Sequence, residues 1–354
     1  TRSPSVSPLR SRRAIPYLLM APGLLWLFLF FVVPNVQMLL FSLSEGTLRT
    51  GFRTPPEVWD IGNFGGSLAK FSKNFTNSIV YGGLATILCF LIGYPLAYAI
   101  AFKGGRWKNL LLFLVIAPFF TSFLIRTISW RIILGNDGPF LSVVRDALGL
   151  VPDNFSVIGT PLAVVGGLTY QFLPFMVLPL YVSIEKVDRR LIEAAQDLYA
   201  GPWRRGGLIL GAISGAFVLV ALQVGLGYGK LIGEDAAPAA VVAAGLIGAI
   251  AGGLIGAFLI SQAFIRVTFP LSLPGVFAAS ILTFIPAIGD YVNAQLLGSP
   301  KTQMVGNVIQ GRFLDQNDYP IAAALAFLLM AGILVAILLY ARILGTEELT
   351  GGRA

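Results

Sequence analysis

A chain of 354 residues of which 56% are hydrophobic and only 12% charged lies far from the roughly 25% charged content of soluble domains. This composition excludes an ordinary soluble enzyme and predicts an integral membrane protein. With no histidine and one cysteine, Cys89, the inventory excludes thiol–imidazole catalysis, Cys/His metal cages and internal disulfides. The net charge of +8 is assigned to cytoplasmic loops rather than to nucleic acid, because basic residues in membrane proteins mark the cytoplasmic face.

Residues 1–15, "TRSPSVSPLRSRRAI", are rich in Ser, Pro and Arg without an apolar face, and read as a disordered basic tail. The apolar run 16–41 exceeds the 7–15 residues of a signal-peptide core and is taken as the first membrane helix. Further spans are expected at about 78–102, 110–134, 161–183, 272–297 and 320–344. Each reaches the roughly 20 residues needed to cross about 30 Å of hydrocarbon, and backbone satisfaction in lipid makes them helices. Two Gly/Ala-rich candidates, 207–229 and 239–261, raise the count from six to eight. The expected fold is an all-α membrane bundle, ending in a short tail at 345–354.

Charge sets the orientation. Arg2, Arg10, Arg12 and Arg13 in the tail, Lys103, Arg106 and Lys108 after the second span, and Lys186, Arg189, Arg190, Arg204 and Arg205 after the fourth place those segments and both termini in the cytoplasm. Arg49, Arg53, Lys70 and Lys73 in the first outer loop depart from the rule. No G-x-x-x-x-G-K-[ST] occurs; "GLGYGKLIG" lacks both the spacing and the hydroxyl after Lys230, so any ATP is hydrolysed by another subunit.

A polar island, "LIEAAQDLYAGPWR", follows the fourth span on the cytoplasmic side. Read as a helix, it takes Asp188 as N-cap, aligns Leu191, Ala194, Ala195 and Leu198 on one face, and ends at Gly201-Pro202. The small residues let another surface approach, and Glu193 and Asp197 set carboxylates beside it. Such a helix suits docking into a partner's groove or lies on lipid as an interfacial helix.

"EKVDRRLIEAAQDLYAGPWR" followed by "AFIRVTFPLSLPG" resembles the E-A-A loop of ABC importer permeases. "FLIRTISWRIILGNDGPF", "LPLYVSIEKVD", "SILTFIPAIGDYVNAQLLGSP" and "MVGNVIQGRFLDQNDYPIAAAL" extend the resemblance to the first permease of spermidine/putrescine importers. It covers about residues 16–344 apart from one block. Joining Arg204 directly to Ala263 restores the family spacing, so 205–262 is a 58-residue insertion; the family glycine is also displaced, to Gly201. The resemblance implies a type I-like bundle of six core helices, here over 16–204 and 263–344. It assigns ATPase coupling to Glu193, Ala194, Ala195, Asp197 and Gly201.

The insertion is expected to form a transmembrane hairpin, because neighbouring antiparallel helices lie about 8–10 Å apart and would return the chain close to its start. Gly248, Gly252 and Gly256 at four-residue spacing give its second helix a small face for packing. That face closes the hairpin on itself or recruits another helix.

An ionisable residue within a span is a candidate site by default. Asp290 lies in "FIPAIGDYVNAQ", where Pro286 and Gly289 loosen the helix and Tyr291 and Asn293 add polarity. It is read as part of a water-facing pathway wall, or else as an ion pair with Arg126 or Arg131 or a helix-end residue. Trp130 and Tyr170 are further pathway candidates that could meet a polyamine by cation–π attraction, against ordinary membrane-interface placement.

The resemblance implies a permease subunit of an ATP-driven importer in the bacterial inner membrane, carrying polyamines. Its implied partners are a second permease, two ATPase subunits that bind ATP and Mg, an extracytoplasmic substrate-binding protein, and membrane lipid. The alternatives are another small solute, such as an amino-phosphonate, an opine or iron, or a self-contained channel or ion-coupled carrier.

Overall fold

The computed structural model describes residues 19–142, 155–188, 190–191, 193–194 and 264–344. In chain order the elements are α1 (Leu19–Ser42), strands β1 (Glu45–Thr47) and β2 (Gly51–Arg53), α2 (Gly62–Lys103), α3 (Gly105–Phe120), α4 (Phe123–Ile133), α5 (Pro161–Glu185), α6 (Arg266–Gly289), α7 (Val292–Leu297), α8 (Val305–Gln310) and α9 (Tyr319–Leu344). Among the described residues α1, α2, α5, α6 and α9 are each long and apolar enough to cross a membrane, and α3 and α4 together pass the same test as a pair bent by 95°, a broken span or a re-entrant loop. Five of the six expected core spans are matched by single long helices, and the third falls on the bent pair. The two candidates at 207–229 and 239–261, with Gly248, Gly252 and Gly256, lie outside the described residues, as do the tails 1–15 and 345–354.

Three helices differ from the expected straight spans. Pro118 sits near the end of α3, Thr121 and Ser122 then take extended backbone with ψ of 147° and 136°, and α4 starts in a new direction. Helix α2 begins at Gly62, kinks at Phe71 and carries Pro95, which has no N–H to give and crowds the preceding turn; a π-helical turn follows at Ala99–Lys103. Helix α6 stops at Gly289, Asp290 is extended with ψ of 130°, and α7 resumes the path outward. Helix α5 starts cleanly: Pro161 occupies its first turn and the Thr160 hydroxyl accepts from the Ala163 N–H at 3.3 Å, as a helix N-terminus requires.

The chain divides into two units. The first, residues 1–72 and 309–332, contains α1, the β-hairpin and the first turns of α9. Its hairpin is a small departure from the all-α expectation, with Glu45 opposite Arg53. Phe52 of β2 meets Phe41 at 5.8 Å and Tyr319 at 5.6 Å between ring centroids, and Arg312 pairs with Asp318 at 2.9 Å. Helix α1 buries none of its apolar stretch against the chain, which leaves Trp26, Phe30 and Phe31 for hydrocarbon.

The second unit, residues 73–308 and 333–354, holds the core. Helices α2, α5 and α6 close around Tyr94, Leu168, Met176, Leu180, Ile184, Val276 and Ala279. With lipid on the outside, such helices gain by close packing more than by hydrophobic burial, and small residues permit it. A side chain on Gly275 of α6 would run into Ser183 of α5, and one on Gly93 of α2 would meet Met176 and Val177 at 3.1 and 3.2 Å.

Candidate functional site

The C-terminal end of α5 leads into the polar island. Here Lys108, at the start of the third span, donates to Glu185, the last residue of α5, and its ammonium lies 5.3 Å from the Tyr181 ring centroid. The next feature is the expected cap. The Asp188 carboxylate accepts the Arg190 N–H at 2.9 Å and its carbonyl accepts the Leu191 N–H at 3.1 Å. Beyond it Arg190, Leu191, Glu193 and Ala194 are helical and exposed, with Leu191 51% exposed. An exposed leucine beside Glu193 and Ala194 is a surface suited to a partner. Ala195, Asp197 and Gly201 lie outside the described residues. On the return side, Phe264 packs its ring 5.1 Å from Tyr94, and the Tyr94 hydroxyl shares a 2.6 Å hydrogen bond with Ser272. Both flanks of the loop are thus fixed to core helices.

The membrane-depth candidates gather around the break between α6 and α7. Asp290 is only 8% exposed. Its carboxylate accepts from the Asn293 backbone N–H at 2.8 Å and the Asn293 side-chain amide at 3.2 Å. This satisfies the first turn of α7, whose N–H groups have no intrahelical partner. Among the described residues Asp290 forms no ion pair with Arg126 or Arg131. Tyr291 turns outward, 41% exposed, and its carbonyl accepts from the Asn307 amide at 2.8 Å. Gly306 lies so close to the Gly289 carbonyl that a Cβ there would sit 2.6 Å from it. Helix α8 therefore braces the break from the other side.

Trp130 and Tyr170 are brought together as a T-shaped pair at 5.3 Å. Trp130 also packs against the cluster of Leu134, Ala163 and Leu297, which joins α4, α5 and α7. One turn before Trp130, the Arg126 guanidinium sits 5.9 Å from the Phe119 ring, while its Nε and Nη1 are buried without a hydrogen-bond partner. The segment between α7 and α8 is stitched to α2: Asn77 donates to the Lys301 and Gln303 carbonyls at 3.3 and 3.0 Å, and the Val305 N–H donates to the Ser78 hydroxyl at 2.9 Å.

Sequence reasoning missed Lys108–Glu185 and the bracing Asn307. Nothing local marks either one, because their partners lie on other segments. The signal available was weaker: Glu185 and Lys108 each stand at the boundary of an apolar run.

Comparison with known proteins accounts for this arrangement. Residues 260–344 match the family described as binding-protein-dependent transport system inner membrane component. The chain is 31% identical to the spermidine/putrescine transport system permease protein PotB of Haemophilus influenzae, over 89% of this chain and 88% of that one. It is 30% identical to PotB of Escherichia coli over 90% and 93%. In structure it is similar to a chain of a bacterial ABC transporter involved in the import of the acidic polysaccharide alginate, with a TM-score of 0.61 at 14% identity, covering 94% of this chain and 96% of that chain. This membrane-spanning chain belongs to the family of permease components of binding-protein-dependent ABC importers.

Proposed function

We propose that this permease translocates polyamines across the bacterial inner membrane with both termini in the cytoplasm. Its partners are an extracytoplasmic binding protein that delivers the cargo, a second permease, and two ATPase subunits that hold ATP and Mg. The observation that carries the cargo reading is its identity of about three residues in ten, over nine tenths of the chain, to permeases named for spermidine and putrescine transport. A likeness to an alginate importer supports the binding-protein partnership, since that transporter is also known in complex with a periplasmic protein carrying an alginate pentasaccharide.

The chain's own residues divide the work. Glu193 and Ala194, on the exposed helix after Asp188, meet the ATPase together with Ala195, Asp197 and Gly201. The Lys108–Glu185 pair transmits the displacement of that helix to α3 and α5. Asp290, Asn293 and Tyr291 at the α6–α7 break, with Trp130 and Tyr170, border the route of the cargo. Amines titrate near 10, so a polyamine is multiply cationic; a carboxylate lowers its barrier and aromatic faces attract it by cation–π contact. Purification of the tagged chain with its associated subunits tests the assembly. Recovery of an ATPase subunit that Glu193→Lys releases supports the reading, and a chain that transports alone opposes it.

A further inference from the structure

Two opposite charges sit in the second unit without meeting, Asp290 buried and Arg126 half-buried. Asp290 uses its oxygens on Asn293 alone among the described residues. Arg126 has two buried nitrogens without any hydrogen-bond partner and only the Phe119 ring beside its guanidinium. Buried guanidinium nitrogens without a partner are among the costlier arrangements a protein keeps. In a membrane span it points to a partner engaged in another state.

The packing puts the two groups at one depth. Helix α5 runs inward from Pro161. Near its start Val164 abuts Gly298, and further along Gly167 abuts Asn293, where a Cβ would lie 3.0 Å from the Asn293 Oδ1; α7 is therefore antiparallel to α5. Leu134 shares a cluster with Ala163 while Trp130, one turn back, meets Tyr170; α4 is antiparallel to α5 too. Helices α4 and α7 consequently run in the same sense, side by side, with Leu134 and Leu297 level in one cluster. Arg126 stands eight residues before Leu134 and Asp290 seven before Leu297. At about 1.5 Å per residue they lie about 12 and 10 Å below that common level. Packed helices are about 8–10 Å apart, a gap that an extended arginine side chain crosses.

We propose that Arg126 is a positioning residue for transport: it pairs with Asp290 across the α4–α7 seam in one state of the cycle and separates from it in the other, the separated arrangement being the one in this structure. Two features make the seam able to shift. The 95° bend at Thr121-Ser122 frees α4 from the direction of α3, and the break at Asp290 frees α7 from α6. Each carboxylate oxygen accepts one bond from Asn293 and keeps a further acceptor site for the guanidinium, so the pair can form with the cap of α7 in place. This rests on the reading of the chain as an ATP-driven permease.

The test uses the full complex reconstituted with its partner permease, ATPase and binding protein, in a Cys89→Ser background. Arg126→Cys and Asp290→Cys are combined, and a short bis-methanethiosulfonate cross-linker is applied in nucleotide-free and vanadate-trapped states. The expected result is cross-linking that differs at least fivefold between the two states. Equal yields, or none in either state, overturn the proposal. A second arm measures spermidine uptake for Arg126→Gln, Asp290→Asn and the double variant, normalised to assembled complex. Each single change is expected to lower the maximal rate at least fivefold with KM little changed, and the double variant to be no worse than the poorer single one. Losses that multiply overturn the pairing, as does an assembled Arg126→Lys complex no more active than the assembled Arg126→Gln complex; where the glutamine variant does not assemble, the cross-linking arm decides. Failure of the permease reading is distinct, because it removes the ATP dependence of uptake in the unmodified complex.

Discussion

Asp290 holds the start of α7 through Asn293, accepting from its backbone at 2.8 Å and its side chain at 3.2 Å. The carboxylate thus carries two properties that mutation can separate: a cap, which any side-chain oxygen in that place supplies, and a charge. Asp290→Asn keeps an acceptor for the backbone N–H and removes the charge; Asp290→Ala removes both. The alanine variant is expected to lose about 0.5–2 kcal/mol, the usual cost of deleting a cap, and the asparagine variant clearly less. Thermal unfolding of the solubilised chain measures the difference, and an asparagine variant as unstable as alanine refutes the capping role.

Glu193 is exposed on a helical segment, so its reversal to lysine touches no core. Glu193→Lys is expected to leave expression and melting temperature unchanged, while lowering ATPase co-purification and uptake severalfold. Normal association in pull-down refutes the docking role.

Gly275 admits α6 against α5 because a side chain there would run into Ser183. Gly275→Val is expected to cost about 1–3 kcal/mol, the scale of overpacking in a tight interior. Ser183→Gly in the same chain should recover part of it. Unfolding curves of the two variants settle this, and a tolerated valine would show that the seam is looser than described.

Lys108 and Glu185 are partly exposed, with side chains 30% and 43% accessible, so their pair contributes little to stability. Its expected role is to transmit movement. Lys108→Glu should lower uptake without loss of assembled complex, and Lys108→Glu with Glu185→Lys should restore it. Uptake by the swapped variant equal to that of the single reversal would dismiss the contact.

The long apolar helices were legible because hydrocarbon imposes long apolar runs, which are a property of continuous sequence. The cap at Asp188 and the loosening of the helix before Asp290 were legible for a similar reason: Asp ahead of a helical face, and Pro286 with Gly289 ahead of a polar cluster, act within a few residues, although the full break at Asp290 was not drawn. The 95° bend of the third span was not, since Thr121 and Ser122 interrupt the apolar run too briefly to lower its hydropathy, and only backbone dihedrals show that the path turns. The site divides in the same way. Asp290 and Asn293 are neighbours along the chain, whereas Lys108 meets Glu185 77 residues away and Asn307 meets Tyr291 16 residues away. Burial of Asp290 depends on α8, through Gly306 and Asn307, which no local pattern around "FIPAIGD" records. Coupling residues Ala195, Asp197 and Gly201 were named by resemblance and lie outside the described residues.

The central claim is tested most directly by uptake of radiolabelled spermidine into proteoliposomes containing this chain with its partner permease and ATPase, with the binding protein supplied outside. The account predicts accumulation that needs both ATP hydrolysis and the binding protein, and that falls when Glu193 is reversed. Accumulation driven by an ion gradient alone, or by this chain without an ATPase subunit, would contradict it.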